Sequence, residues 1–301
     1  MRVKNIDPLH RTDPIYAAIF VIPTLAVIGF IAFWPLGQTF YNSLFKFALM
    51  YPQSKVFIGF SNYGKLFQDS RFMNDLWNTV RFSLWSVGLE TLFGMLVALM
   101  LNKKFKLRGL VRAAVLIPWA IPTVVSSQMW RWMYNDNYGI VNSLLLSLHI
   151  LKKPIVWLGF PATAMPAIIS VDIWKTTPFM ILLLLAGLQM IPEELYEAAR
   201  IDGANAWQRF WSITFPMIRP TLGIALIFRT LDAMRVFDIV YVMTKGAANT
   251  ETLSVYNQWT LFTKGFIAPY FGYGSSMSVM IFLIISIFAF FYVKTMKIKL
   301  D

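Results

Sequence analysis

Six apolar runs divide this chain, at about 15–36, 76–101, 110–133, 163–188, 217–240 and 276–293. Each is close to the ~20 residues a helix needs to cross the hydrocarbon core of a bilayer. Lipid offers no partner to free backbone groups, so runs of this length fold there as helices. The expected architecture is all-α, a polytopic membrane protein with six spans. A polar tail occupies 1–14 and a single membrane domain takes 15–301. Composition agrees: 14% of residues are charged, against about 25% in soluble domains. The first run follows a long polar lead with Asp7 and Asp13 and lacks a small-x-small cleavage pattern. It reads as a retained anchor, not a signal peptide.

Charge sets the expected orientation. Lys103, Lys104, Lys106, Arg108 and Arg112 follow the second run with no acid among them. Such a basic cluster marks a cytoplasmic loop. With six spans, both termini and the 190–216 segment then lie on that same side, in the cytoplasmic membrane. The loops at 37–74, 134–162 and 241–275 face outward. The net charge of +12 fits anchoring at a lipid surface over short loops rather than nucleic-acid binding. There is no Cys, which excludes disulfides and thiolate chemistry. His10 and His149 are far apart and carry no ligand motif, so no metal centre is expected.

Prolines mark irregular spans. Pro118 and Pro122 in the third run free backbone carbonyls and should bend the helix, which membranes tolerate only with polar groups or packing nearby. The fourth run holds Pro166 and Pro178 with Asp172 and Lys175 between them, and a structural Asp172–Lys175 pair is expected. Gly59-Phe60-Ser61-Asn62-Tyr63 reads as a turn entering a short helix. Trp130, Arg131 and Trp132 read as an anchor at the outer interface.

The segment Met190–Pro220 is more polar than the runs on either side of it. Pro192 suits a first helical turn, and Glu193, Glu194 and Glu197 favour the start of a helix. Gly203 breaks it through a tight, left-handed turn, and 204–211 forms a second short helix. The segment carries Glu197-Ala198-Ala199, Gly203, Ile213 and Phe215-Pro216. This resembles the signature of the cytoplasmic coupling loop in permease subunits of ATP-driven, binding-protein-dependent importers. That signature is Glu-Ala-Ala, three residues, Gly, nine residues, Ile, one residue, Leu-Pro, and Phe215 replaces its Leu. The Gly-Phe-x-Asn-Tyr pattern and the paired prolines resemble the same family.

The resemblance implies a six-span type I ABC importer permease with no catalysis of its own. It implies a homologous second permease, two ATPase subunits (or a homodimer of one) and an extracytoplasmic solute-binding protein. ATP and Mg would bind the ATPase subunits, since this chain has no Gly-x-x-x-x-Gly-Lys-Ser/Thr loop and needs no cofactor. Glu197, Ala198, Ala199, Arg200 and Gly203 become the coupling residues, with Tyr196, Ala199, Trp207 and Phe210 as the docking surface. Residues 177–188 and 228–242 resemble disaccharide importers of the maltose and trehalose type.

Within the fifth run, Arg229, Asp232, Arg235 and Asp238 recur every third residue, a spacing that pairs opposite charges along one helix. A charge near mid-membrane costs at least ~2.5–3.5 kcal/mol facing lipid, so these groups should face the bundle. They either line the translocation path, with Asp238 near its outer mouth, or form structural ion pairs at a subunit interface. Glu90 is a further polar candidate. A helix over 251–262 carries Tyr256, Asn257 and Trp259, suited to sugar stacking and hydroxyl hydrogen bonds or to packing on a partner. The rival class is a secondary, ion-coupled transporter. The sequence offers no visible pair of discontinuous spans, which such a transporter uses for its site, and this counts against it.

Overall fold

The structure, a computed structural model, describes residues 13–296. All but Asp13 and Pro14 of the expected tail, and Lys297 and Lys299 at the other end, lie outside the described residues. Helix α1 (Asp13–Ile28) passes through a π-helical turn at Gly29–Phe33 into α2 (Trp34–Ser43). A two-residue antiparallel ladder follows, β1 (Phe45–Lys46) against β2 (Val56–Phe57), a minor exception in a helical protein. Then come α3 (Ser61–Gln68), α4 (Ser70–Asn102), α5 (Arg108–Ala120), α6 (Thr123–Met133), α7 (Ile140–Ser147) and α8 (Pro161–Gln189). α9 (Glu193–Ile201) precedes α10 (Ala206–Arg209), which continues through a π-helical turn at Phe210–Thr214 into α11 (Phe215–Met234). α12 (Asp238–Met243), α13 (Leu253–Gln258), α14 (Gly265–Ile267) and α15 (Phe271–Met296) complete the order. Among the described residues five helices are long and apolar enough to cross a membrane, or six if α5 and α6 are one bent span.

The chain divides into two compact units. The first holds the described part of Met1–Lys65 with Thr260–Val279. Its long α1–α2 helix exposes apolar side chains along its length, as a segment in lipid would. The Gly-Phe-x-Asn-Tyr stretch works as a local tie. Gly59 takes φ +57°, a left-handed turn open to glycine. Asn62 is then buried, and its amide donates to the carbonyls of Ser43 at 2.8 Å and Phe45 at 3.1 Å. Tyr63 adds a hydroxyl contact to Ser43 at 2.7 Å.

The second unit, Leu66–Trp259 with the described part of Met280–Asp301, is built on α4, α8 and α11. Asp69 caps α4, its carboxylate accepting from the Arg71 and Phe72 amides, so the helix starts well before the apolar run does. At ~1.5 Å per residue its 33 residues reach about 50 Å. α8 stays continuous through Pro166 and Pro178. Two apolar clusters hold the helices together. One gathers Phe82, Met165, Ile168, Val171 and Val240. The other gathers Ala98, Leu101, Met180, Leu184, Ile218 and Leu222.

Lipid is as apolar as leucine, so close packing has to do what the hydrophobic effect does in water. At Gly187 a Cβ would lie 2.8 Å from Thr221 Oγ1 and 2.9 Å from Thr221 Cβ, so glycine alone lets α8 and α11 approach this closely. Gly187→Leu should therefore destabilise the bundle by about 1–3 kcal/mol. Thermal unfolding in detergent would register this as a lowered midpoint, and an unchanged midpoint would disprove the tight contact.

Candidate functional site

Between the two apolar clusters lies one polar layer. Arg229 of α11 makes a bidentate pair with Glu90 of α4, Nε to Oε2 at 2.6 Å and an amino group to Oε1 at 2.9 Å. The same amino group reaches Asp172 of α8 at 3.3 Å. Glu90, Asp172 and Arg229 are 0%, 8% and 5% exposed. Ser86 Oγ sits between the two carboxylates, 2.7 Å from Glu90 and in hydrogen-bond contact with Asp172. Thr176 Oγ1 lies 2.6 Å from Glu90 Oε1. A buried ion pair adds little net stability against apolar packing, but removing one partner strands a charge. The layer therefore fixes the register of three helices.

These pairings correct two expectations. Asp172 pairs with Arg229, while Lys175 donates to the Ile121 carbonyl at 2.6 Å. The i,i+3 ladder on the fifth span forms over its first two steps, Arg229–Asp232 and Asp232–Arg235, and stops before Asp238. Asp232 lies 3.9 Å from Arg229 and bonds chiefly to Arg235, at 2.5 Å. α11 ends at Met234, so Asp238 starts a separate helix beyond a break.

That break has a counterpart. α5 and α6 meet at 90° across Ile121 and Pro122, both in extended conformation with ψ 133° and 139°. The polar groups that such a bend requires are present. Lys175 takes the Ile121 carbonyl, and the Pro122 carbonyl accepts from the Ser126 amide at 3.0 Å. At the second break, the Thr252 hydroxyl donates to the Val236 carbonyl at 3.1 Å. A cavity of about 620 Å³ opens between the two breaks, against α8. Trp119 and Phe179 stack in its wall, centroids 6.0 Å apart. Asp172, Asp232 and Asp238 face the same space, with Lys175, Arg229 and Arg235. An aromatic wall ringed by carboxylates suits a hydroxyl-rich ligand. The absence of discontinuous spans, expected from sequence, is thus overturned.

Trp119 and Phe179 were not foreseen, their one signal being the neighbouring Pro118 and Pro178. Tyr256, Asn257 and Trp259 do not line the cavity. Tyr256 and Trp259 clamp the Arg71 guanidinium, 4.3 and 4.5 Å from its carbon, and Glu251 pairs with Arg71 at 2.7 Å. Tyr256 also donates to Asp69 at 2.8 Å. These residues tie the 251–259 stretch to the start of α4. Trp130, expected at an interface, packs edge-on against Trp174 at 5.4 Å inside the unit, while Trp132 is exposed.

The Met190–Pro220 segment sits at the far end of the bundle from the start of α4. Pro192 is the N-cap of α9 rather than its first residue. Gly203 takes φ +79° with open space around it, so its requirement is conformational. The Gly203 amide donates to the Arg200 carbonyl and the Ala204 amide to that of Ala199, closing the helix C-terminus. Asn205 and Gln208 then form a reciprocal capping box. The second helix expected at 204–211 does not end there but runs on through Met234. Glu197, Ala198 and Arg200 are exposed and Ala199 is half-buried. Tyr196 turns inward, its hydroxyl 2.9 Å from Thr214 Oγ1. Of the expected docking residues Trp207 is exposed, and Leu195 and Ile201 add to the exposed apolar surface. Lys104 pairs with Glu193 at 3.4 Å, placing the basic loop beside α9.

The family described as the binding-protein-dependent transport system inner membrane component matches residues 90–296. This chain belongs to that family. Among relatives of this permease, the trehalose/maltose transport system permease protein MalF of Thermococcus litoralis is 43% identical, covering 94% of each chain. The trehalose transport system permease protein SugA of Mycobacterium tuberculosis is 38% identical over 92% of this chain and 87% of its own. A crystal structure of a bacterial ABC transporter involved in import of alginate has a chain with the same fold, with TM-score 0.80 at 23% identity, covering 97% and 98% of the two chains. Unbroken spans no longer count against an ion-coupled transporter.

Arg229→Met in the permease would leave Glu90 and Asp172 buried without their cation, at a cost of ~3–5 kcal/mol. The yield of monodisperse protein should fall sharply, and Glu90→Gln added to it should recover part of the loss. Equal yields from the single and double variants would show that the two residues are not coupled.

Proposed function

We propose that this permease carries a sugar, a disaccharide of the trehalose or maltose kind, from an extracytoplasmic binding protein to the cytoplasm. The carrying observation is the cavity between the broken spans, whose stacked Trp119–Phe179 wall and aspartates suit a neutral polyol. Its volume of about 620 Å³ falls in the ~300–1,000 Å³ range of small-molecule sites. The relatives named for trehalose and maltose support the choice of sugar.

In this reading the chain pairs with a homologous permease, and two ATPase subunits bind ATP and Mg. Glu197, Ala198, Ala199, Arg200 and Gly203 form the coupling segment, which grips an ATPase through the exposed Leu195, Ile201 and Trp207. The basic loop beside α9 supports a cytoplasmic location for that end, and both termini lie on the same side. The solute-binding protein docks at the other end. Nothing in this chain performs covalent chemistry.

The buried carboxylates and paired breaks also suit an ion-coupled carrier, and one experiment separates the two. Proteoliposomes holding the permease with its partner subunits and binding protein should take up trehalose or maltose only when ATP is supplied. Uptake that survives omission of the ATPase, or that collapses with an ionophore, would sink the proposal. Gly203→Pro removes the left-handed turn and should preserve membrane insertion while ATP hydrolysis no longer drives uptake. Normal transport by that variant would remove the coupling role of the turn.

A further inference from the structure

A second cavity, a groove of about 410 Å³, runs between α4 and α8. Arg81, Trp85 and Leu89 line it from α4, one residue per turn, and Met165, Ile169 and Ile173 line it from α8 at the same spacing. Arg81 is the one charged residue in the lining. Its Nε is buried without a hydrogen-bond partner, and among the described residues no carboxylate pairs with it. Arg81 as a whole is half-buried, whereas the buried cations Arg229 and Lys175 have their partners, two carboxylates and a carbonyl. A guanidinium held in an apolar membrane groove is costly unless an anion joins it. The described residues do not supply that anion.

The layout of the groove says what kind of anion fits. α4 and α8 run in the same direction, with Ser86 beside Asp172 and Glu90 beside Thr176, and Arg81 lies level with the first two turns of α8, lining the groove together with Pro161 and Ala162. Leu89 and Ile173 lie one residue from Glu90 and Asp172, at the depth of the polar layer. The groove is therefore cationic at its rim and apolar towards the middle of the bundle. On the same side of α4, Trp77, Leu84 and Trp85 are exposed, a stripe suited to the bilayer with tryptophan near its boundary. A phosphate at the rim followed by a hydrocarbon chain running inward matches this order of chemistry. One uncompensated positive charge calls for a headgroup of net charge −1, not a zwitterion.

We infer that the groove holds an acyl chain of an anionic phospholipid whose phosphate pairs with Arg81. The lipid acts as a fixed part of the α4–α8 contact, in the leaflet on the side where α4 begins. The site is separate from the sugar cavity and does not depend on the substrate.

The test uses the full chain purified in mild detergent with its partner subunits, and native mass spectrometry with phosphatidylglycerol and phosphatidylcholine as probes. Phosphatidylglycerol should be retained in preference to phosphatidylcholine. Arg81→Leu should weaken that retention about tenfold or more, as loss of a charge-assisted phosphate contact implies. Arg81→Lys should keep part of it, since an ammonium replaces the planar fork by a point charge. Equal retention of the two lipids by the wild type, or equal retention of phosphatidylglycerol by Arg81→Leu, overturns the inference. A second variant asks what fills the groove. Trp85→Cys puts one thiol into a chain that has none, and a photoactivatable group attached to that thiol should cross-link phosphatidylglycerol in preference to phosphatidylcholine. A cross-link to a partner polypeptide instead would make the groove a protein interface and end the proposal.

Discussion

One guanidinium shared by two carboxylates sets the terms for the rest of this bundle. Arg229, Glu90 and Asp172 come from three different helices and meet where two apolar clusters leave a gap. Between apolar helices in lipid, sliding by a turn changes little, because one leucine contact resembles another. An ion pair with two short bonds does not tolerate that slide. The buried charges thus define a single alignment of α4, α8 and α11, and the glycine contact at Gly187 then allows that alignment to close up.

The same layer explains where the backbone can afford to be irregular. Both breaks, at Ile121–Pro122 and after Met234, open beside it, and each has a side chain waiting for a freed carbonyl. Lys175 serves both purposes, extending the polar layer and satisfying the bend. Irregular backbone at membrane depth is stable only when it is buried in protein or lines a watery space. The 620 Å³ cavity is that space, so the breaks and the cavity have one physical origin.

What could be read from sequence followed the reach of each interaction. The turn at Gly203 is local, and its left-handed conformation was legible from a glycine after a helix-forming run. The bend at Pro118 and Pro122 was legible for the same reason, though not its 90° angle. The closest partners of Arg229 lie 139 and 57 residues away, and spacing along one helix showed only the longer contact to Asp232. Aromatic residues misled in a similar way. Tyr256 and Trp259 looked like sugar platforms but hold Arg71, whereas Trp119 and Phe179 became a cavity wall only once two distant spans were packed together.

The absence of a joint between α10 and α11 has a mechanical consequence. Ala206–Met234 is one helix of 29 residues, roughly 44 Å from end to end at ~1.5 Å per residue. One tip adjoins the Gly203 turn and the other stops at the cavity. Over that length a tilt of about 5° at the base corresponds to a sweep of ~4 Å at the tip. Rocking at the foot of such a helix would be enlarged at its tip, next to Arg235 and Phe237 at the border of the chamber.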